Sequence, residues 1–175
     1  MPCGRSRAAV SFPHPEKIAV CDTFVLSELI RPSGFYNTKS ERLQNLCEAM
    51  IEDFGDFDTF TDSVSREWLL AQKGIGKESA DSILCYACER DIMVVDSYTF
   101  RLFKAELNIE DMEYDEIREM IESEMEANHA KAASLLGSSE VTLCKIYAIF
   151  HGLIVEFCKT AFKGKTQKER LLERT

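Results

Sequence analysis

The residues best suited to chemistry are a glycine-rich stretch and an aspartate that follows it. Residues 73–77 read Lys-Gly-Ile-Gly-Lys, and Asp96 comes directly after the apolar pair at 94–95. Free backbone N–H groups at the start of a helix bind anions, and Lys73 and Lys77 would add the positive charge that suits a nucleic-acid phosphate. Asp96 opens a further helical pattern, which would hold its carboxylate rigidly. The spacing therefore indicates phosphate binding beside one fixed acidic group.

Two helices must position these residues, because the hydrophobic pattern is helical on both sides of residues 73–77. Apolar residues keep helical spacing over 64–69. A second apolar stripe follows at i, i+3, i+4, i+7 and i+8, formed by Ala80, Ile83, Leu84, Ala87 and Cys88. The segment between the two stripes is therefore predicted to be a tight turn.

Within the predicted turn, Gly74 and Gly76 permit positive φ and leave the backbone N–H groups unobstructed, while Ile75 can point back into the core. Ser79 is predicted to cap the N-terminus of the second helix. The plainer alternative is an ordinary helix-glycine-helix connection without a ligand, in which Asp96 is only an N-cap residue.

Together these residues resemble the helix-hairpin-helix DNA glycosylase superfamily that includes endonuclease III. The superfamily pattern, a hairpin G-[IV]-G followed by [ST]-A and then by V-D-x-x-x-x-R, is matched at the family spacing by Gly74-Ile75-Gly76, Ser79-Ala80, Val95-Asp96 and Arg101. Residues 31–43 look like the block that precedes the hairpin, and residues 73–81 and 83–88 look closest to the 3-methyladenine glycosylase branch. The resemblance covers about residues 22–162.

The resemblance implies an all-α fold with two helical lobes and a cleft between them. We expect an irregular segment over 1–21, a lobe with the helix-hairpin-helix over 22–95, a C-terminal lobe over 96–162 and a charged tail over 163–175. Prolines discourage a helix before residue 21, and no Gln-Thr-like turn of the resembled proteins occurs there. We therefore expect incomplete N-terminal helices and a truncated N-terminus.

The resemblance also implies a chemistry, hydrolysis of the N-glycosidic bond of an alkylated purine such as 3-methyladenine. Asp96 would stabilise the sugar cation and activate water. In the bifunctional glycosylase/lyases a lysine follows the basic hairpin position and forms a Schiff base with the sugar; here that residue is Glu78. Lys77 precedes it by one residue, which turns its side chain by about 100° around the helix. The expected enzyme is therefore monofunctional.

The overall charge argues against DNA binding at first sight, because the net charge is -9 and the pI is about 4.9. Ten acidic residues and one basic residue lie from Glu106 to Glu126, so the charges of the rest of the chain sum to zero. We expect this segment to be a solvated helix face turned away from DNA, with four apolar residues directed inward, Tyr114, Ile117, Met120 and Ile121. Lys39 and Arg42, near the start of the apolar stripe that runs from Leu43 to Phe54, are further candidate phosphate contacts.

The cysteine content and the lengths of the apolar runs indicate which cofactors and which cellular compartment to expect. Seven cysteines at irregular spacing suit a reducing compartment. Cys85 and Cys88 are expected to be structural thiols within one helix. Many endonuclease III relatives bind a four-iron cluster through four C-terminal cysteines, but only Cys144 and Cys158 occur there, so we expect no cluster, metal or other cofactor. No run of eighteen apolar residues occurs, so a soluble protein is expected. We also expect it to be a monomer in the cytoplasm, associated with the nucleoid.

Three hypotheses remain open at this point. The first is a DNA glycosylase of base excision repair that acts on duplex DNA containing damaged bases, with Asp96 as its catalytic residue. The second is a catalytically silent helix-hairpin-helix protein that only binds DNA. The third is a glycosylase/lyase like endonuclease III, which the glutamate at position 78 disfavours.

Overall fold

A computed structural model describes residues 14–107, 112–138 and 140–161. Every regular element in these residues is a helix, as expected for an all-α protein. One 3-10 turn, Arg31–Ser33, accompanies ten α-helices: Pro15–Ala19 (α1), Thr23–Leu29 (α2), Tyr36–Phe54 (α3), Phe57–Ser63 (α4), Arg66–Ala71 (α5), Lys77–Tyr86 (α6), Ser97–Leu107 (α7), Tyr114–Ala127 (α8), His129–Leu135 (α9) and Leu143–Ala161 (α10). No helix in the described residues combines the length and apolar character that crossing a membrane requires.

The N-terminal segment is helical where an irregular chain is expected. Pro15 occupies the first turn of α1, a position that tolerates proline because its missing N–H group would have no partner inside the helix. The prediction of an irregular segment over 1–21 is therefore wrong for residues 15–19. Its first thirteen residues lie outside the described residues, as does the predicted tail over 163–175.

The chain divides into two compact units. Among the described residues, the first unit contains the chain up to Val64 together with residues 72–74, and the second contains residues 65–71 and the chain from Ile75 onward. This division falls earlier in the chain than the lobe boundary expected after residue 95. Helices α5 and α6 consequently belong to the second unit, together with Asp96. The cleft between lobes stays a prediction.

Helix α3 is the centre of the first unit, and α1, α2 and α4 pack against it. It begins seven residues before the expected apolar stripe at Leu43 and ends at Phe54, where Gly55 follows with φ 83°. Gln44 on its buried face joins the short helices: its amide donates to the carbonyl oxygen of Cys21 and accepts a hydrogen bond from Thr23 at 2.6 Å. Residues 57–63 form α4, whose N-cap is Asp56.

The core of the second unit lies between α8, α10 and the extended residues 92–95. It is formed by eight buried side chains, Met93, Val95, Tyr114, Ile117, Ile121, Tyr147, Ile154 and Cys158. Of the four apolar residues of the acidic helix predicted to point inward, Tyr114, Ile117 and Ile121 lie in this core, whereas Met120 is only half-buried. Helix α10 contributes Tyr147, Ile154 and Cys158 to this core, whereas its Leu153 is 61% exposed and its Phe157 is 49% exposed.

Candidate active site

The turn before α6 needs glycine at one position for its backbone conformation. Gly74 has φ 87°, a left-handed conformation that is costly for residues with a Cβ, and a Cβ there would also overlap the Arg42 guanidinium. Gly76 has φ -94° and ψ 177°, which any residue can adopt. The expectation of positive φ at both glycines is therefore correct for the first and wrong for the second. Ile75 is half-buried, in keeping with an anchoring role.

Helix α6 begins with Lys77, and Gly76 is its N-cap. The prediction that Ser79 caps this helix is wrong, because Ser79 lies within its first turn and is exposed. No side chain caps the helix, although the ladder starts regularly with the bond from the Ala80 N–H to the Gly76 carbonyl oxygen at 2.9 Å. The first-turn N–H groups are consequently left without a side-chain partner, as an anion site requires.

The predicted cationic contacts have different surroundings. Lys73 is exposed. Lys77 is 44% exposed and its ammonium lies 2.6 Å from a carboxylate oxygen of Asp115, in the first turn of α8. Lys39, in the first unit, donates from its ammonium to the Ser33 carbonyl oxygen at 2.6 Å. The acidic helix is therefore not wholly separated from the candidate DNA contacts, because one of its carboxylates neutralises Lys77.

Asp96 is held by the helix that it precedes. Its Oδ1 accepts hydrogen bonds from the Thr99 N–H at 2.8 Å and from the Thr99 hydroxyl at 3.0 Å. Thr99 is fully buried and the Asp96 side chain is 13% exposed. Both bonds fall on one oxygen, so the carboxylate is fixed while Oδ2 keeps its lone pairs available. Thr99 was not predicted as a site residue, although an aspartate followed three residues later by threonine is a recognisable capping pattern.

The extended segment before Asp96 is held by the acidic helix. The Met93 N–H donates to Glu122 Oε1 at 2.8 Å, and the Val95 N–H donates to the Tyr114 hydroxyl oxygen at 3.3 Å. Burial raises the pKa of Glu122, and its second oxygen accepts from Arg118 at 2.8 Å. Helix α8 therefore positions Asp96 through its inward face, a role that its acidic composition does not suggest.

His151 and Glu78 complete the surroundings of Asp96. The Nε2 atom of His151 lies 3.4 Å from Asp96 Oδ2, and its Nδ1 atom lies 2.5 Å from the Tyr86 hydroxyl oxygen. Burial and the Asp96 charge raise the pKa of Glu78, while His151 lowers it. The structure thus places His151 half-buried beside the candidate catalytic carboxylate.

An ion-pair network lies beneath the first turn of α6. Arg66 from α5 contacts the fully buried Asp81 through Nε at 2.6 Å, and its Nη2 contacts Asp115 at 2.8 Å. Arg118 Nε lies 3.5 Å from the same Asp115 oxygen. Hydrogen bonding to Asp81 raises the pKa of Arg66, so its charge is permanent. The network joins α5, α6 and α8 and fixes the position of α6.

The two cysteines of the Cys-x-x-Cys pattern are separated by the end of α6. Cys85 is buried inside the helix, and Cys88 lies beyond its last residue, which corrects the expectation that both share it. Burial raises the pKa of Cys85 to about 12 and also raises the pKa of Cys88. Both thiols are thus protonated at neutral pH, in agreement with a structural role. The absence of a cluster or metal stays a prediction.

Comparisons with known proteins indicate the family of the chain. Residues 3–127 match the HhH-GPD superfamily, described as base excision DNA repair proteins. Over 156 residues the chain is 40% identical to a protein of Methanocaldococcus jannaschii named putative DNA repair glycosylase MJ1434, covering 85% of this chain and 64% of that protein. It is also 28% identical over 88 residues to endonuclease III of Thermotoga maritima, covering 50% of this chain and 39% of the relative.

Two solved structures share the fold. The H. pylori 3-methyladenine DNA glycosylase MagIII bound to 1,N6-ethenoadenine has a TM-score of 0.78 and 47% identity, covering 84% of this chain and 67% of the other. An endonuclease III–DNA complex has a TM-score of 0.60 and 18% identity, covering 89% of this chain and 63% of the other. Because the superfamily match includes the hairpin and Asp96 and extends over most of the sequence, the chain belongs to the HhH-GPD superfamily of base excision DNA repair proteins.

Proposed function

We propose that the protein is a monofunctional DNA glycosylase that hydrolyses the N-glycosidic bond of alkylated purines such as 3-methyladenine in duplex DNA. The observation that carries the proposal is the Asp96 carboxylate, which is fixed through one oxygen by Thr99 and keeps its other oxygen for chemistry. The name of MagIII and its 47% identity support the lesion class. The protein would act as a monomer, in the cytoplasm and on the nucleoid.

Binding would use the hairpin. A phosphate would accept hydrogen bonds from the first-turn N–H groups of α6, which no side chain caps, with Gly76 allowing close approach. Lys73 is the more available of the two hairpin lysines, because Asp115 neutralises Lys77. The proposed DNA contacts are Lys39, Lys73, Gly74, Ile75, Gly76, Lys77 and Ser79. Flipping the damaged nucleotide costs a few kcal/mol, which these contacts help to offset.

The chemical step needs one carboxylate. The bond between the purine nitrogen and C1′ breaks, and its electron pair neutralises the positive charge of the alkylated base. Asp96 stabilises the cationic sugar, a water oxygen bonds to C1′, and the released proton passes to Asp96. General-base assistance of this kind is worth about 10²- to 10⁴-fold in rate. Because the base leaves as a neutral molecule, little acid catalysis is required.

The test is Asp96→Asn, measured as release of free base from methylated duplex DNA. We expect the rate to fall at least about 100-fold while duplex binding is retained. The matched control is Asp56→Asn, because Asp56 caps α4 in the same way. It accepts a hydrogen bond from the N–H of Thr59, three residues later, at 2.7 Å. The control should lose a similar small amount of stability and keep its activity. Equal base release by wild type and Asp96→Asn would remove Asp96 from the mechanism.

The same assay separates the alternatives. Duplex binding by the wild type without any base release would select a DNA-binding protein without catalysis. Trapping of a covalent enzyme–DNA adduct with borohydride would select the lyase chemistry of the third hypothesis. We expect no adduct, because Glu78 cannot form a Schiff base and Lys77 is paired with Asp115.

A further inference from the structure

His151 contacts two groups of the candidate active site through its two ring nitrogens. Nδ1 lies 2.5 Å from the Tyr86 hydroxyl oxygen, a short hydrogen-bond distance. Nε2 lies 3.4 Å from Asp96 Oδ2, is itself buried and makes no aligned hydrogen bond. Helices α6 and α10 supply the tyrosine and the histidine, so the three side chains come from three separate parts of the second unit.

The chemistry of the three groups decides where the imidazole proton lies. Burial raises the pKa of Tyr86, and the nearby charge of Asp96 raises it further, so its hydroxyl keeps its proton. A phenol that donates to Nδ1 requires a lone pair there, which leaves the proton of the neutral ring on Nε2. That N–H group then faces Asp96 Oδ2. The opposite tautomer would direct a lone pair at a carboxylate oxygen, which is repulsive.

We propose that His151, held by Tyr86, is a positioning residue for Asp96, whose carboxylate it orients through Oδ2. The proposal rests on the function proposed above. Thr99 fixes Oδ1 and His151 faces Oδ2, so the carboxylate plane is defined at both oxygens. The distance of 3.4 Å is longer than a good hydrogen bond, as is common at catalytic groups before substrate binds. Neither His151 nor Tyr86 contacts the reacting atoms in this scheme.

The experiment compares His151→Ala, His151→Gln and Tyr86→Phe in single-turnover release of base from methylated duplex DNA. We expect His151→Ala to lower the rate about ten- to a hundred-fold, because a carboxylate displaced by about 1 Å loses that much. Glutamine can place an amide N–H near the position of Nε2, so His151→Gln should recover most of the rate. Tyr86→Phe should cause a smaller loss. His129→Ala is the control and should keep its activity. His129 lies in the same unit, but its ring bonds to the Val141 carbonyl oxygen rather than to Asp96.

A second measurement reads the tautomer directly. The chain has three histidines, so the ¹⁵N signals of His151 can be assigned from their loss in His151→Gln. At pH 8 we expect the wild type to carry its proton on Nε2 and Tyr86→Phe to show a mixture of the two tautomers. If His151 has only a structural role, Tyr86→Phe should leave the tautomer of His151 unchanged, and the variants should lose activity only in proportion to their loss of folded protein. Thermal unfolding of each variant measures the folded fraction.

The outcomes distinguish the inference from the function on which it rests. If the wild type releases base and His151→Ala releases it equally fast, the inference is wrong but the proposed function stands. The same holds if the proton of the wild type is found on Nδ1. Absence of base release by the wild type would overturn the proposed function. Loss of activity in His151→Ala with recovery in His151→Gln and an Nε2 proton in the wild type would support both.

Discussion

At the scale of single residues, capping and catalysis are compatible at Asp96. The two hydrogen bonds from Thr99 fall on Oδ1, and Oδ2 remains for His151 and for a reacting water. A helix cap fixes a side chain at little cost, because the backbone N–H that it binds would otherwise lack a partner inside the helix. The same geometry that stabilises α7 therefore preorganises the carboxylate.

Gly76 allows the phosphate role of the hairpin to be separated from its structural role. Its backbone suits any N-cap residue, and a Cβ there meets no atom within 4 Å. We expect Gly76→Ser to cap α6 internally, which raises the free energy of unfolding by about a few tenths of a kcal/mol, and yet to lower duplex DNA affinity because the hydroxyl occupies the anion site. Urea unfolding and fluorescence anisotropy measure the two effects.

The comparison variant is Gly74→Ala, where φ of 87° opposes any side chain. It should lose about 1–2 kcal/mol of stability, so its loss of affinity would not identify a phosphate contact. Unchanged DNA affinity in a stable Gly76→Ser protein would show that the first-turn N–H groups do not bind DNA.

At the scale of elements, α8 is the scaffold on which the site is built. Its inward side chains hold the segment before Asp96, and its first turn supplies Asp115 to Arg66 and Lys77. The hydrogen bond from Lys77 is the largest cause that lowers the pKa of Asp115 below its usual value. A carboxyl with a lowered pKa in the folded protein stabilises the fold when ionised and loses that contribution on protonation.

This linkage predicts the pH dependence of Asp115→Asn. At pH 7 the variant should unfold with a free energy about 1–2 kcal/mol below that of the wild type, because Arg66, Lys77 and Arg118 lose their shared anion. The contribution is complete above the ordinary aspartate pKa of about 4 and disappears as the pH falls through the folded pKa. The difference between the two proteins in urea unfolding should therefore shrink below about pH 4.

The control for this series is Glu119→Gln, whose carboxylate is mostly exposed and contacts Arg118 at 3.2 Å. Its effect should stay within about 0.5 kcal/mol at every pH, as is usual for exposed ion pairs. A difference between wild type and Asp115→Asn that is constant from pH 7 to pH 3 would mean that the ionised carboxylate does not stabilise the fold.

At the scale of the whole molecule, net charge should limit the proposed affinity for undamaged DNA. The net charge is -9, and one candidate hairpin cation is already neutralised by Asp115. The cationic contribution to affinity should thus come from few residues and fall quickly with salt. Under the proposed function, recognition of the damaged base would then supply much of the specific affinity.

The salt dependence can be divided between the two hairpin lysines. Lys73→Gln should lower the slope of log affinity against log salt concentration by about 0.9, the value for one phosphate contact. Lys77→Gln should change it less, because binding a phosphate requires Lys77 to leave Asp115. Lys131→Gln in α9 is a charge-matched control that should leave the slope unchanged. Equal changes in all three variants would indicate a diffuse electrostatic effect rather than hairpin contacts.

Local patterns were enough to predict the all-α class, the hairpin between two helices and an aspartate at the start of α7. Helical periodicity and glycine spacing are properties of neighbouring residues, so they can be recognised without knowing what packs against them. Helix boundaries were less accurate. Pro15 and residues 57–63 adopt helices because packing against α3 outweighs weak local preferences.

The family of the chain and its candidate catalytic carboxylate could be identified from the amino-acid sequence, since both depend on residues close together in the chain. The packing of the helices was needed to show that His151 lies beside Asp96, that Tyr86 contacts His151, and that Asp115 neutralises Lys77. The physical reason is separation in sequence: contacts between α6, α8 and α10 depend on how the helices pack, and no local pattern encodes that packing.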